Sequence, residues 1–427
     1  MIAQQSAPAI TLPELARMAG GDLVVREVPA DPASRESLLR SGVRGAGIDT
    51  RTLQPGELFV PLPGSRTDGH AFLDEAFRRG AGAALCGRAR YPEWQGSEPG
   101  PLVVVEDVTA ALAALAARWR ERWTGLMLCV TGSAGKTATK DLVAAVLGSS
   151  APALKTEGNL NNHWGVPLTL LRLEPAHRAA VVEIAMNRPG EIAFLAALAR
   201  PGAAVITNAG SAHLEHLGSL EAIAREKAAL GFALEAGRPL FAGADPPRLL
   251  HALRGVGARL ITFGLGPGAM VHPRAVEDLG PAGSRVEVEG FPPLQLRLVG
   301  RHQVLNALAA LAVAREFGVD PAAAVAALEA CRPARGRMEP RRAHGAQLLV
   351  DCYNANPDSA RAALETLAAW PGATRRLAVL GDMLELGVGV AALHRETAAA
   401  ARGCAVWAVG AHAADWAAGA RAAGVPA

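Results

Sequence analysis

Apolar and polar positions along this chain follow two periods, and each change of period marks a change of element. Leu126-Met127-Leu128-Cys129-Val130 is a short uncharged run of the kind that forms a buried strand. Beyond it Leu142, Val143, Val146 and Leu147 recur at helical spacing, in a helix expected to begin at Lys136. Residues 179–184, 203–207, 239–241 and 260–263 repeat the strand pattern, and helices are expected over 192–199 and 220–230. Strands alternating with helices imply a parallel sheet covered on both faces. The period then becomes strictly two in Arg285-Val286-Glu287-Val288-Glu289 and again in Leu294-Gln295-Leu296-Arg297-Leu298. These half-buried strands, separated by Gly290-Phe291-Pro292-Pro293, predict an antiparallel hairpin attached to the parallel sheet. A helix over 306–317 follows.

The segments on either side are patterned differently. Residues 12–122 mix short strands such as Leu102-Val103-Val104-Val105 with the turns Pro55-Gly56 and Pro63-Gly64, and end in an alanine-rich helix over 109–123. After the Arg332-Pro333-Ala334-Arg335-Gly336 joint, strands are expected at 348–352, 377–380 and 405–409, with helices from about Ser359 and Val390 between them. That pattern is a second, shorter parallel α/β unit. The expected architecture is α/β in three domains. Residues 1–122 form a small mixed domain, 123–331 a central parallel sheet with its hairpin, and 332–427 a Rossmann-like domain. The 427 residues suit two or three domains of roughly 100–200 residues each.

Composition removes several function classes. Half the residues are hydrophobic, and 43 basic against 40 acidic residues leave a net charge of only +3, too balanced for a binder of phosphate backbones. The arginines are scattered, so no nucleic-acid partner is expected. Cys86, Cys129, Cys331, Cys352 and Cys404 lie far apart and form no C-x-x-C, which encodes neither a disulfide framework nor a zinc knuckle. Residues 1–15 lack the basic and apolar regions of a signal peptide, and no apolar run is long enough to span a membrane. A cytoplasmic chain without membrane insertion is expected.

Candidate chemistry begins where the first strand meets its helix, at Thr131-Gly132-Ser133-Ala134-Gly135-Lys136-Thr137. Gly132 and Gly135 let the backbone curl so that its N–H groups, those of Ser133 and Ala134 among them, converge on one point at a helix N-terminus. Lys136 supplies charge for the outer phosphates, and the Thr137 hydroxyl suits magnesium. The longer Walker pattern has a glycine where this chain has Val130. The shorter form points to particular ATP-binding families. In an open α/β sheet the ligand lies beyond the carboxyl ends of the strands, so the residues there are the next candidates. They are Glu183 and Asn187 after one strand, and Asn208, Gly210 and His213 after another. Glu183 fits a direct or water-mediated magnesium ligand, the alternative being a solvated carboxylate at a strand end. His213 fits a ligand of a second cation or, equally, a hydrogen-bonded loop histidine. Gly158-Asn159-Leu160-Asn161-Asn162-His163-Trp164-Gly165 offers amides for phosphate or substrate contacts, or is an ordinary Asn/Gly turn with a helix cap.

The motifs T-G-S-A-G-K-T, G-N-L-N-N-H-W-G-V-P, E-I-A-M-N-R-P-G-E-I and N-A-G-S-A-H-L-E, in this order, resemble the Mur ligases of peptidoglycan synthesis. Gly300-Arg301-His302-Gln303 through Asn306 is similar to the family's G-x-H-N-x-x-N element, and Gly336-Arg337-Met338-Glu339 to its G-R-x-E joint. Asp49-Thr50-Arg51, Pro55-Gly56-Glu57-Leu58-Phe59-Val60 and Asp68-Gly69-His70 resemble its UDP-binding domain. Asp351-Cys352-Tyr353-Asn354-Ala355-Asn356-Pro357-Asp358-Ser359 and Leu380-Gly381-Asp382-Met383-Leu384-Glu385-Leu386-Gly387 are similar to those members that add a D-alanyl-D-alanine dipeptide.

The resemblance implies an ATP- and magnesium-dependent ligase whose partners are UDP-N-acetylmuramoyl-tripeptide and D-alanyl-D-alanine, working as a monomer. Lys136 and Thr137 would hold the β- and γ-phosphates and magnesium. Glu183 and His213 would be metal ligands, and Lys227 aligns with a lysine carbamylated in many members. Without the family, Lys227 reads as a solvated helix lysine. His302 and Asn306 would lie by the adenine, Arg337 by the phosphates and Asp351 at the ribose, with Tyr353, Asn354 and Asn356 lining the cleft. Asp49, Thr50, Arg51, Asn159, Asn161, Asn162 and Asn187 complete the expected substrate contacts. Ala185, Gln303 and Ala229 depart from the family pattern. The family's closing strand, K-G-S-R-like turn and final helix do not occur before Ala427, so the third domain reads as incomplete. Two alternatives follow: a sister ligase adding the third amino acid, disfavoured because its D-Y-A-H-x-P motif carries a histidine where this chain has Tyr353-Asn354-Ala355-Asn356-Pro357, and a truncated homologue that binds nucleotide without ligating.

Overall fold

A computed structural model of the chain describes residues 10–26, 31, 33, 36–37, 40–64 and 67–427. The first nine residues of the N-terminal stretch read above lie outside these. The chain divides into two compact units, Met1–Gly125 with Thr156–Arg178, and Leu126–Lys155 with Ala179–Ala427.

The first unit contains a five-stranded sheet in the order Asp22–Val24, Leu102–Val105, Ala83–Gly87, Leu58–Phe59, Ala46–Gly47. The first pair is antiparallel and the others parallel. Helix Val108–Glu121 starts where Asp107 accepts a hydrogen bond from the Ala110 N–H, a side-chain cap that satisfies an otherwise orphaned donor. Among the described residues no helix is long and apolar enough to cross a membrane. All five cysteines are free thiols.

The second unit is built on a six-stranded parallel sheet in the order Arg259–Phe263, Pro239–Gly243, Ala203–Ile206, Leu126–Thr131, Ala179–Glu183, Ala153–Lys155. Leu126–Thr131 lies between neighbours reached by crossovers in opposite directions, the switch point at which such sheets bind ligands. Register places Glu183 opposite Val130 and Ile206 opposite Thr131, so three strands release their chains along one edge. The strand's Leu128 and Val130 pack with Val181 and Val205 against helix Lys136–Gly148 and helix Arg301–Glu316. Leu308 and Leu311 of the latter are fully buried. Each such side chain contributes about 1.5–3 kcal/mol of burial.

Two expectations are corrected. Ser284–Val288 and Leu294–Leu296 do pair antiparallel, but they belong to a separate three-stranded sheet with Pro273–Asp278. That third strand is largely exposed and lacks apolar alternation, which hid it in the sequence. The strand expected at 348–352 is Ala346–Val350, and it pairs antiparallel with Glu339–Ala343, leaving Leu377–Leu380 and Ala405–Ala408 as the parallel pair. The cause is the His344-Gly345 turn, where φ values of 50° and 78° give the left-handed geometry of a tight hairpin. The core of this C-terminal part gathers Leu364, Met383, Leu386, Val406 and Trp416, and the Trp416 indole donates to the Gly381 carbonyl at 3.0 Å.

Candidate active site

The loop from Gly132 to Gly135 is held by the chain that leaves the neighbouring strand. Asn208 brackets one peptide group: its Oδ1 accepts from the Ala134 N–H at 3.0 Å, and its Nδ2 donates to the Ala134 carbonyl at 3.1 Å. The Thr207 hydroxyl donates to the same carbonyl at 2.6 Å. Ser133 donates its N–H to the Asn208 carbonyl, and its Oγ accepts from the Gly210 N–H at 2.9 Å. Both loop glycines are sterically required. A Cβ on Gly132 would overlap the Thr207 hydroxyl, and one on Gly135 (φ 79°) would sit 2.5 Å from Asn306 Oδ1. The Lys136 ammonium folds back onto the Gly132 carbonyl at 2.8 Å. Burial pushes its pKa down; Glu183 opposes the shift and Arg337 adds to it.

Glu183 is buried at the end of its strand, and its Oε2 lies 3.9 Å from Lys140 Nζ, beyond hydrogen-bond length. Lys227 is 1% exposed in helix Leu220–Phe232. Its pKa falls well below the lysine range, first through burial and then through Lys136. Both solvated alternatives are thereby overturned. His213 takes a left-handed conformation (φ 61°), and its Nδ1 lies 2.6 Å from Glu385 Oε2. Burial lowers its pKa; Glu385 opposes this, and Lys136 and Lys227 reinforce it.

Lys136, Glu183, His213, Lys227 and Arg337 thus share one electrostatic neighbourhood in which cations outnumber anions, a setting for a polyphosphate. Among the described residues no cluster of three His, Cys, Asp or Glu side chains forms a dedicated cation cage. One buried carboxylate, Glu183, together with the buried Thr137 hydroxyl nevertheless fits magnesium, which commonly binds through one or two carboxylates, substrate phosphates and water.

The other expected residues divide by what occupies them. Asn306 is buried, with its Oδ1 accepting from Thr139 and its Nδ2 donating to Gln303, so it ties the helix that follows the phosphate loop to its own helix. His302 carries a buried Nδ1 without a hydrogen-bond partner, and burial lowers its pKa to about 4. The Arg337 guanidinium stacks 4.1 Å from the Tyr353 ring and borders a small cleft with Ala138, Leu142 and Gln303. Asp351 accepts from the Met338 N–H, and burial raises its pKa. Asn356 caps helix Pro357–Ala368 in a reciprocal arrangement with Ser359, while Asn354 is exposed and bonds locally to Ala355. Asn187 donates its N–H to Glu191. In the first unit Asp49 and Arg51 pair with each other at 2.5 Å on either side of Thr50. Asn162 accepts from the N–H groups of Trp164 and Gly165 at the start of a helix. Asn159 accepts from the Asn161 N–H.

Two positioning residues, Thr207 and Lys140, are singled out by nothing in the sequence, whereas Asn208 stands there among the strand-end candidates and Asp358 within the motif that runs from Asp351 to Ser359.

Sequence models of the Mur ligase family match three stretches: the catalytic-domain model over residues 42–120, the middle domain over 130–314 and the glutamate ligase domain over 336–425. The UDP-N-acetylmuramoyl-tripeptide–D-alanyl-D-alanine ligase of Bacillus subtilis is 35% identical over 398 residues, which is 91% of this chain and 82% of that protein. The chain belongs to the Mur ligase family. The Escherichia coli ligase of the same name is also 35% identical, over 93% of this chain and 84% of that protein. Among solved Mur ligase structures, MurF from Acinetobacter baumannii superimposes with a TM-score of 0.84 at 28% identity, covering 97% of this chain and 88% of that one. MurF from Thermotoga maritima in complex with ADP gives 0.76 at 30% identity, covering 87% and 86%.

His302 yields a pH prediction. In the folded chain it stays neutral down to about pH 4, whereas an unfolded histidine takes its proton near pH 6.5. The stability it permits is complete above pH 6.5 and is lost as pH falls from there toward 4, by about 1–3 kcal/mol given its partial exposure. His302→Asn therefore flattens the fall in urea midpoint between pH 7 and pH 4.5. An equally steep fall in the variant contradicts this assignment.

Proposed function

We propose that this Mur ligase joins D-alanyl-D-alanine to the terminal carboxylate of UDP-N-acetylmuramoyl-tripeptide, using ATP, in the making of peptidoglycan precursors. The observation that carries the reading is the phosphate loop, with Lys136 electrostatically coupled to buried Glu183. It lies in a chain 35% identical, across most of its length, to ligases of that name. We assign the domains as 1–122, 123–331 and 332–427, and place the enzyme in the cytoplasm as a monomer.

A carboxylate is a poor acyl donor because its leaving group would be oxide. Transfer of the γ-phosphoryl group to the tripeptide carboxylate creates an acyl phosphate, from which phosphate can depart. The dipeptide amine attacks the acyl carbon, the C–N bond forms, the C–O bond to phosphate breaks, and the amine loses a proton. Two anions must meet in the first step, so Lys136, supported by Arg337, neutralises charge where it develops. Magnesium, when bound, supplies further neutralisation of the phosphate oxygens, and Thr137, Glu183 and His213 are the residues that would hold it. His302, Asp351 and Tyr353 are assigned to the nucleoside end of the cleft, and the Asp49–Arg51 loop to the UDP moiety.

The assay is phosphate release. It should require UDP-tripeptide and D-alanyl-D-alanine together and vanish in Lys136→Ala, whose circular dichroism stays native. Release with a single amino acid in place of the dipeptide contradicts the assignment.

Lys227 is assigned as a carbamate. Burial and the nearby Lys136 push its pKa well down, which favours the neutral, nucleophilic amine. Attack on CO2 forms an N–C bond, moves an electron pair onto oxygen and releases a proton to water. The product is an anion among cations. Carbon-13-labelled bicarbonate should give a carbamate resonance in the native chain that is missing from Lys227→Met; no resonance in the native chain refutes it.

A further inference from the structure

The segment that carries His213 is gripped by two carboxylates from the C-terminal domain. Asp358, in the first turn of helix Pro357–Ala368, accepts from the Ser211 N–H at 2.7 Å and from the Ser211 hydroxyl at 2.9 Å through one oxygen. Gly210 admits it, since a Cβ there would overlap the Asp358 carboxylate. Glu385 accepts through Oε2 from His213 Nδ1 at 2.6 Å, and its carbonyl accepts from the Glu215 N–H at 3.1 Å. His213 and Glu385 both hold positive φ, 61° and 59°, a conformation that costs a non-glycine residue energy and persists where its surroundings enforce it. Glu385 is fixed by its neighbours: Met383 and Leu386 are buried in the C-terminal core on either side of it.

An ionised carboxylate can only accept hydrogen bonds, so the proton between these groups belongs to Nδ1. The other ring nitrogen, Nε2, is then the ligand atom. Outer partners of this kind set the tautomer and orientation of a metal-binding histidine. We propose that Glu385 and Asp358 are positioning residues, Glu385 fixing the Nδ1–H tautomer of His213 while Asp358 anchors the segment upstream of it. The tautomer part stands on geometry alone. Its catalytic consequence rests on the reading of His213 as a magnesium ligand. The 207–215 segment starts at the phosphate loop through Asn208 and ends at Glu385. Seating of the C-terminal domain and presentation of His213 are therefore one event.

The experiment uses full-length protein labelled with nitrogen-15 in histidine, with His213→Gln identifying the His213 signals. In the native chain His213 should show the Nδ1–H pattern. Glu385→Ala should lose it and raise the magnesium concentration for half-maximal turnover about tenfold, with KM for UDP-tripeptide within twofold. Glu385→Gln, whose amide oxygen still accepts, should retain both properties and guards against a folding defect. Persistence of the Nδ1–H pattern in Glu385→Ala overturns the proposal. Loss of the pattern with an unchanged magnesium requirement upholds the hold on His213 and refutes instead its reading as a metal ligand.

Discussion

Asn208 and its hold on the Ala134 peptide are the constraint on which the site depends. The Ser133 and Ala134 N–H groups, expected from the sequence to converge on a ligand, are instead both taken by Asn208. Here the Ala134 N–H and carbonyl are both taken by the Asn208 amide, and Thr207 adds a second donor. A buried peptide group left without its partner costs about 1–3 kcal/mol. The strand register makes this possible: Ile206 opposite Thr131 delivers Thr207 and Asn208 to the loop at the right height. The same chain continues to Ser211 and His213, where Asp358 and Glu385 hold it.

The site concentrates positive charge at some cost in stability. Lys227 and Lys140 are withdrawn from water with Glu183, Lys140 lying 3.5 Å from Asp141, and Lys136 is half-buried in the same field. Burying cations without full compensation is unfavourable. Such an arrangement is retained because a polyphosphate supplies the missing negative charge when it arrives. The Lys136 ammonium donates to the Gly132 carbonyl of its own loop. The depressed pKa values of Lys136, His213 and Lys227 come first from burial, to which neighbouring cations add and which Glu183, Glu385 and Glu226 respectively oppose.

Much of this was legible in the sequence where apolar periodicity or special residues signal structure. The strands of the parallel sheet and the helix at Lys136 stand out because uncharged runs alternate with helical spacing. The exposed Pro273–Asp278 and the charged Glu339–Ala343 escaped notice because strands that bury little leave no apolar pattern. At the site, motif order led to Lys136, Glu183 and His213. The burial of Lys227 required the fold, since a lysine on a helix looks solvated until its neighbours are known. The turn that Asn162 makes at a helix start was one of two readings open in the sequence, whereas the cap role of Asn356 was hidden, because asparagine suits caps and ligand contacts alike. Glu385 and Asp358 stand 172 and 147 residues from their partners, a separation over which a sequence carries no pairwise signal.

Hydrogen–deuterium exchange in Asn208→Ala tests the central claim most directly. If Asn208 carries the phosphate loop, amides from Gly132 to Lys136 and from Ser211 to Glu215 exchange faster in the variant. Helix Arg301–Glu316, which lies in the hydrophobic core, should remain protected as in the native chain. Unchanged exchange across both loop segments would contradict the account.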